Sequence, residues 1–229
     1  MNPKQRAAEA ALKYVRNGMT VGLGTGSTAD FFLQALGNAI RSGQLAGIKG
    51  LPTSKQSERR ANEVGIPLTT FANSPNPDIT IDGADEIDPR LNLIKGLGGA
   101  LLREKIVAQN SRRLIIIADA SKQVTHLGTH APLPVEVALF GHESHEAFLR
   151  SLGCVPTLRL NADKSTLITD NGNVIYDCRF ASIDEPTALQ IRLRSRAGIV
   201  ESGLFLGMAS VALVGEGDRV ELIESSGNP

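Results

Sequence analysis

The sequence predicts an α/β protein in two parts: a parallel sheet covered by helices on both faces, then a smaller α+β unit with an antiparallel sheet. Two observations carry this prediction. Up to about residue 128, short β-prone runs alternate with helical segments, as in right-handed βαβ units. Beyond that point the order becomes strand, helix, strand, strand, helix, strand, which is a split-βαβ plan. A chain of 229 residues, 41 % hydrophobic and 21 % charged, can bury the core such a protein needs.

Asn2 suits a helix cap, Pro3 a first turn and Gly18 a close, which predicts a helix over 3–17. MTVGLG follows as a short buried strand, and a second helix begins with Ser27 or Thr28 as its cap. Residues 46–52 read as a strand, SKQSERRANEVG as a helix and IPLTTF as a strand. DITIDG is a further strand, ALLREKIVAQN a helix and RLIIIAD a strongly apolar strand. In the second part PLPVEVALF is a strand, and GHESHEAFLRSLG is a helix closed by Gly153. VPTLRL and LITDNGNVIYDCRF are strands, with a hairpin turn at Asp170-Asn171-Gly172-Asn173. A helix over 185–197 and the strand IVESGLF complete the unit, and SVALVGEGDRVELI reads as short strands returning to the first sheet.

Composition excludes several classes of function. With formal net charge zero, no general electrostatic pull toward nucleic acid or acidic membrane exists. Arg59-Arg60 and RLRSRAG read as solvated helix faces. MNPKQRAAEAALKYV is a charged amphipathic helix rather than a signal-peptide core. No apolar run approaches the roughly 20 residues that cross a bilayer. Cys154 and Cys178 make neither a disulfide framework nor metal-ligand spacing, and read as two reduced thiols. The expectation is a cytoplasmic protein without nucleic-acid or membrane partners.

Function first shows in VGLGTGSTAD, residues 21–30, between a strand and a helix. A dinucleotide fingerprint needs a third glycine where Ser27 stands, and an acidic residue about 20 positions on, where Leu51, Pro52 and Thr53 stand. A triphosphate-binding loop needs a G-K-[ST] ending that is absent here. What remains is a turn of backbone N–H groups with the hydroxyls of Thr25, Ser27 and Thr28, suited to one dianionic phosphate. A plain strand–helix turn with a Ser/Thr cap would read the same way.

Downstream, ITIDGADEID places Asp82, Asp85, Glu86 and Asp88 just after a buried strand. The carboxyl ends of parallel strands are where ligands bind, and crowded carboxylates call for a cation or a hydroxyl-rich ligand. Magnesium chelation by D-x-x-D-E and a capping Asx-rich turn are the rival readings. LIKGLGGALLREK then offers Lys95 before a glycine-rich turn, with Glu104 inside the following helix. A lysine beside carboxylates can stabilise an oxyanion, and a glutamate shielded from water can act as a general base. Alternatively Arg103, Glu104 and Lys105 are solvated charges. Together the residues describe proton abstraction beside a carbonyl in a phosphorylated, hydroxyl-rich substrate, which needs no cofactor.

In this order GLGTGSTAD, IDGADEID, KGLGGALLREK, IADASKQV, PLPVEV and TDNGNVI closely resemble ribose-5-phosphate isomerases of the A type, over nearly the whole chain. The resemblance implies a Rossmann-like domain of residues 1–128 and 206–229 that carries the site. It implies a ferredoxin-like α+β domain over 129–205 and a homodimer. It makes Glu104 the general base, Asp82 and Asp85 the residues that assist ring opening and hold hydroxyls, and Lys95 the group that polarises the carbonyl. Substrate contacts map onto Thr25, Gly26, Ser27 and Thr28 at the phosphate, with Gly83, Ala84, Gly96, Leu97 and Gly98 along the substrate. Lys4 and Lys122 add positive charge, and no metal is implied. Leu97 stands where the family is expected to have glycine; at positive φ a leucine would cost about 1–2 kcal/mol.

His126 with His130 and His142 with His145 lack a third ligand at metal spacing and read as surface or capping residues. Two rival functions differ in kind. A sugar-phosphate sensor module would need an attached DNA-binding segment, which this chain has no spare length to supply. An amino-sugar isomerase–deaminase would recruit a histidine, and none lies in the motifs.

Overall fold

A computed structural model describes residues 2–224; Met1 and 225–229, assigned above to the first domain, lie outside the described residues. The chain forms two compact units. One comprises the residues up to Ala84, Arg103–Lys122 and the residues from Gly207; the other comprises Asp85–Leu102 and Gln123–Leu206. Residues 85–102, 123–128 and 206, read from sequence with the first part, therefore group with the second unit.

The first unit is built on a six-stranded sheet. Its strands are β1 (Thr20–Leu23), β2 (Lys49–Pro52), β3 (Ile79–Asp82), β6 (Leu114–Asp119), β12 (Ala209–Glu216) and β13 (Arg219–Glu224). Their order is β13-β12-β6-β3-β1-β2, parallel except for the antiparallel edge strand β13. Helices α1 (Pro3–Ala11), α2 (Ser27–Arg41) and α3 (Lys55–Val64) belong to this unit. The predicted return of the C-terminal strands is seen in β12 pairing parallel with β6. Phe32, Leu33, Ile81, Ile115 and Ile117 are fully buried together in the core, and each such side chain contributes about 1.5–3 kcal/mol. Connections leave β1 toward β2 on one side and, through α3, toward β3 on the other. The chain thus reverses direction between β1 and β3, the kind of point where open α/β sheets bind ligands.

Three elements differ from expectation. The first helix ends at Ala11 and tightens into a 3₁₀ turn over Leu12–Tyr14. The strand predicted over 66–71 is only an isolated bridge between Gly50 and Leu68, because Pro67 has no N–H with which to extend a ladder. The second helix starts at Ser27 with Gly26 as its N-cap, so neither Ser27 nor Thr28 caps it.

In the second unit β7 (Leu133–Val137), β8 (Val155–Leu158), β9 (Val174–Arg179) and β10 (Ile199–Ser202) form an antiparallel sheet in the order β10-β7-β9-β8. With α5 (Glu146–Ser151) and α6 (Pro186–Arg194) this is the βαββαβ plan predicted, with the strand order of a ferredoxin-like unit. The expected helix over 141–153 is shorter, preceded by a 3₁₀ turn over His142–His145. The Asp170–Asn173 segment does turn, with Thr169 N–H bonded to Asn173 O at 2.9 Å, but β9 pairs with β8 rather than with residues just before that turn.

A small sheet of β4 (Glu86–Ile87), β5 (Leu93–Ile94) and β11 (Leu204–Phe205) was not predicted. It interrupts the strand read as IVESGLF at Gly203, where an added Cβ would sit 2.2 Å from the carbonyl oxygen of Lys95. Cys154 and Cys178 are free and buried. Among the described residues no helix is long and apolar enough to cross a membrane.

Candidate active site

On the first unit, candidate residues lie where the strand order reverses on either side of β1. Gly24 lets the chain leaving β1 press against β3, since a Cβ there would stand 2.3 Å from Asp82 Oδ1. Asp82, at the carboxyl end of β3 and 1 % exposed, accepts hydrogen bonds from the backbone N–H groups of Thr25 at 3.0 Å and Gly83 at 2.7 Å. The phosphate-type loop and the first carboxylate are therefore one hydrogen-bonded assembly.

Gly26, at φ +108°, turns this loop into α2 without any capping side chain. The amide donors of the first turn lie at the positive end of the helix dipole, where an anion is favoured. Lys4 of α1 donates from Nζ to Ser27 Oγ at 3.1 Å, which sets an ammonium at that helix terminus. Lys4 and Lys122 also act on Asp119 at the end of β6. Burial pushes this carboxyl up, but hydrogen bonds from Ser121 and the two lysine charges outweigh it and hold the group below its usual range. Lys4, Ser27, Thr28 and Lys122 thus belong to the same unit as the loop, with Lys4 in direct contact.

Thr25 is oriented differently. Its hydroxyl lies 2.8 Å from both Thr53 Oγ1 and Ser54 Oγ, while Thr53 donates to the carbonyl of Leu23 at 2.8 Å. Ser54 is itself the capping-box residue of α3. Thr25 therefore braces the loop through its hydroxyl, and Thr53 and Ser54 are supports that sequence reading missed. Glu104 lies in the first turn of α4 (Leu101–Asn110) and is 3 % exposed, so it is not a solvated surface charge.

The second unit holds the other candidates. Asp85 Oδ2 accepts the Leu97 N–H at 2.9 Å, which ties the second carboxylate to the glycine-rich turn. Within that turn Gly96 and Gly99 have positive φ, and the Gly99 N–H closes onto Gly96 O at 3.0 Å. Leu97 is not among the positive-φ residues, so it carries no left-handed strain. Lys95 is 2 % exposed, its backbone N–H bonded to Gly203 O at 2.9 Å and its ammonium 5.4 Å from the centre of the Phe205 ring. Gly96 is buried, while Leu97 and Gly98 are exposed.

The other two members of the acid cluster have structural partners. Glu86, fully buried, accepts the backbone N–H groups of Gly128 at 2.5 Å and of His130 and Ala131 at 2.6 Å. Asp88 accepts from the Arg90 and Asn92 backbones at 2.8 Å. The capping-turn reading holds for Asp88, whereas Glu86 anchors the distant segment 128–131; among the described residues no group of three or more His, Cys, Asp or Glu is arranged to hold a metal ion. His142 Nδ1 meets the Tyr176 hydroxyl at 3.0 Å, and His145 Nδ1 accepts from Arg196 Nε at 3.0 Å.

Residues 49–219 match the family model described as ribose 5-phosphate isomerase A (phosphoriboisomerase A). The chain is 49 % identical over 221 residues to ribose-5-phosphate isomerase A of Roseiflexus castenholzii, covering 96 % of this chain and 94 % of the relative. Against the Bacillus mycoides protein of the same name it is 50 % identical over 216 residues, covering 94 % and 96 %. Its fold is similar to the solved ribose 5-phosphate isomerase from Plasmodium falciparum, with TM-score 0.94, 41 % identity and 98 % of each chain covered. A D-ribose-5-phosphate isomerase structure in complex with phospho-erythronic acid gives TM-score 0.94 at 38 % identity, covering 98 % of this chain and all of that one.

Proposed function

The chain belongs to the ribose 5-phosphate isomerase A family, and from that premise we propose how its residues carry out the reaction. The protein is an aldose–ketose isomerase that interconverts ribose 5-phosphate and ribulose 5-phosphate in the pentose phosphate pathway. The substrate phosphate binds at the amino end of α2, against the amides of Gly26, Ser27 and Thr28 and the charges of Lys4 and Lys122. Asp82 and Asp85 assist ring opening and hold substrate hydroxyls, beside Gly83, Ala84, Gly96, Leu97 and Gly98. Glu104 takes the proton from C2, the electron pair moves to the C1 oxygen as an enediolate, and Lys95 opposes the charge that develops. The proton of the C2 hydroxyl passes to the C1 oxygen as the C2 carbonyl forms, and the same carboxyl returns the abstracted proton to C1. Carbon 1 is reduced as carbon 2 is oxidised, so the electrons balance within the substrate and no cofactor is required.

The observation that carries the reading is the uncapped α2 terminus, with Lys4 bonded to Ser27 and Asp82 bonded to Thr25 in the same loop. Phospho-erythronic acid, bound by a structural relative, supports it: that molecule joins a phosphate and hydroxyls to an anionic end resembling an enediolate. We also read the chain as a cytoplasmic homodimer. Purified protein mixed with ribose 5-phosphate should form ribulose 5-phosphate at the same rate with and without a chelator. Inhibition by the chelator would contradict the metal-free route, and no product in either sample would contradict the assignment of substrate.

A further inference from the structure

We propose that Arg159 is a positioning residue for catalysis, holding the turn that carries Lys95; the inference rests on the role assigned above to that lysine. Arg159 stands just beyond the end of β8 and is not part of any motif that points to the site. Its Nη1 donates to the carbonyl oxygens of Gly96 at 2.9 Å and Leu97 at 3.1 Å. Its Nε donates to Asp177 Oδ2 at 2.8 Å, and its Nη2 pairs with Asp177 Oδ1. Asp177 lies in β9, within the antiparallel sheet, so the guanidinium is a rigid bracket between a strand and the glycine-rich turn.

The turn needs such a bracket. Gly96 and Gly99 give it conformational freedom, and a glycine pair alone fixes no single geometry. From the other side Asp85 grips the Leu97 N–H at 2.9 Å. The Gly96–Leu97 peptide is thus held at both polar ends, its N–H by Asp85 and its carbonyl oxygen by Arg159, which also holds the next carbonyl. The ion pair is shielded, with the Arg159 side chain 11 % and the Asp177 side chain 23 % exposed. A bidentate pair in these surroundings keeps its geometry better than a surface pair does. Lysine would keep the charge and lose the planar fork, so it could not hold the aspartate and both carbonyls at once.

Kinetics of Arg159→Lys, Arg159→Ala, Asp177→Asn and the double variant Arg159→Lys/Asp177→Asn test this, with Lys95→Ala as reference. Displacing a catalytic group by about 1 Å costs on the order of 100-fold in rate. We expect kcat of Arg159→Lys to fall about 10- to 100-fold, with KM changed far less and the thermal midpoint close to wild type. Methylguanidine should restore part of the kcat of Arg159→Ala and none of that of Lys95→Ala, and the double variant should be no slower than Arg159→Lys. Wild-type kcat in Arg159→Lys, or activity that falls only in step with the folded fraction, would overturn the inference. Undiminished turnover in Lys95→Ala would instead overturn the role given to the lysine.

Discussion

Asp82, Asp85, Glu86 and Asp88 fall within seven consecutive positions, yet their environments give them different work. Asp82 and Asp85 each bind the backbone of a glycine-containing loop, through Thr25 and Leu97. Glu86 takes three amides from residues 128–131, more than 40 positions away in the chain. The sequence shows four carboxylates after a strand, but no local pattern reveals a partner that remote. Replacing Glu86 by glutamine would turn an NH₂ group toward N–H donors. This should cost about 2–3 kcal/mol of stability while leaving turnover per folded molecule near wild type. Asp82→Asn should do the reverse, with little change in thermal midpoint and a large loss of kcat. Thermal unfolding and steady-state kinetics on both variants check this; an inactive but stably folded Glu86→Gln would contradict it.

Strand and helix identities were readable because hydrophobic runs and caps are local, whereas interruptions come from distant contacts. Gly203 breaks one predicted strand into β10 and β11 only because the Lys95 backbone lies against it. The 3₁₀ turn before α5 is similarly fixed from outside. Arg196, just beyond α6, donates to His145 Nδ1 at 3.0 Å and to Ser144 O at 3.1 Å, and lies 4.7 Å from the centre of the Phe148 ring. Burial, with the charges of Arg196 and His142, pulls the His145 pKa below the ordinary 6.5. A proton on Nδ1 would face the arginine donor, so the folded state resists protonation. Stability from this contact is complete above about pH 6.5 and declines as pH falls through that value toward the lower folded pKa. His145→Gln, which keeps an acceptor without titrating, should flatten the fall in thermal midpoint between about pH 7 and 5. An unchanged slope would contradict the assignment.

Across the whole molecule, six short motifs carried the family, and the strand order agrees with the two-part plan read from them. Glu104, Lys95, Asp82 and Asp85 could be singled out as candidates from the sequence because they sit in or close to glycine-rich turns. Arg159, Thr53 and Ser54 were not, since they act by holding backbone from other strands and loops, and ordinary strand or cap positions carry no mark of that. The proposed homodimer predicts a light-scattering mass of twice the 24.3 kDa chain; a single-chain mass would contradict it.

The central claim is that the buried Glu104 carboxylate moves the proton between C2 and C1. The most direct test is the turnover of ribose 5-phosphate by Glu104→Gln, an isosteric change that removes the base. Its kcat should fall by at least about 100-fold, with KM for ribose 5-phosphate largely kept. Near-normal turnover in a folded Glu104→Gln protein would show that another group is the base.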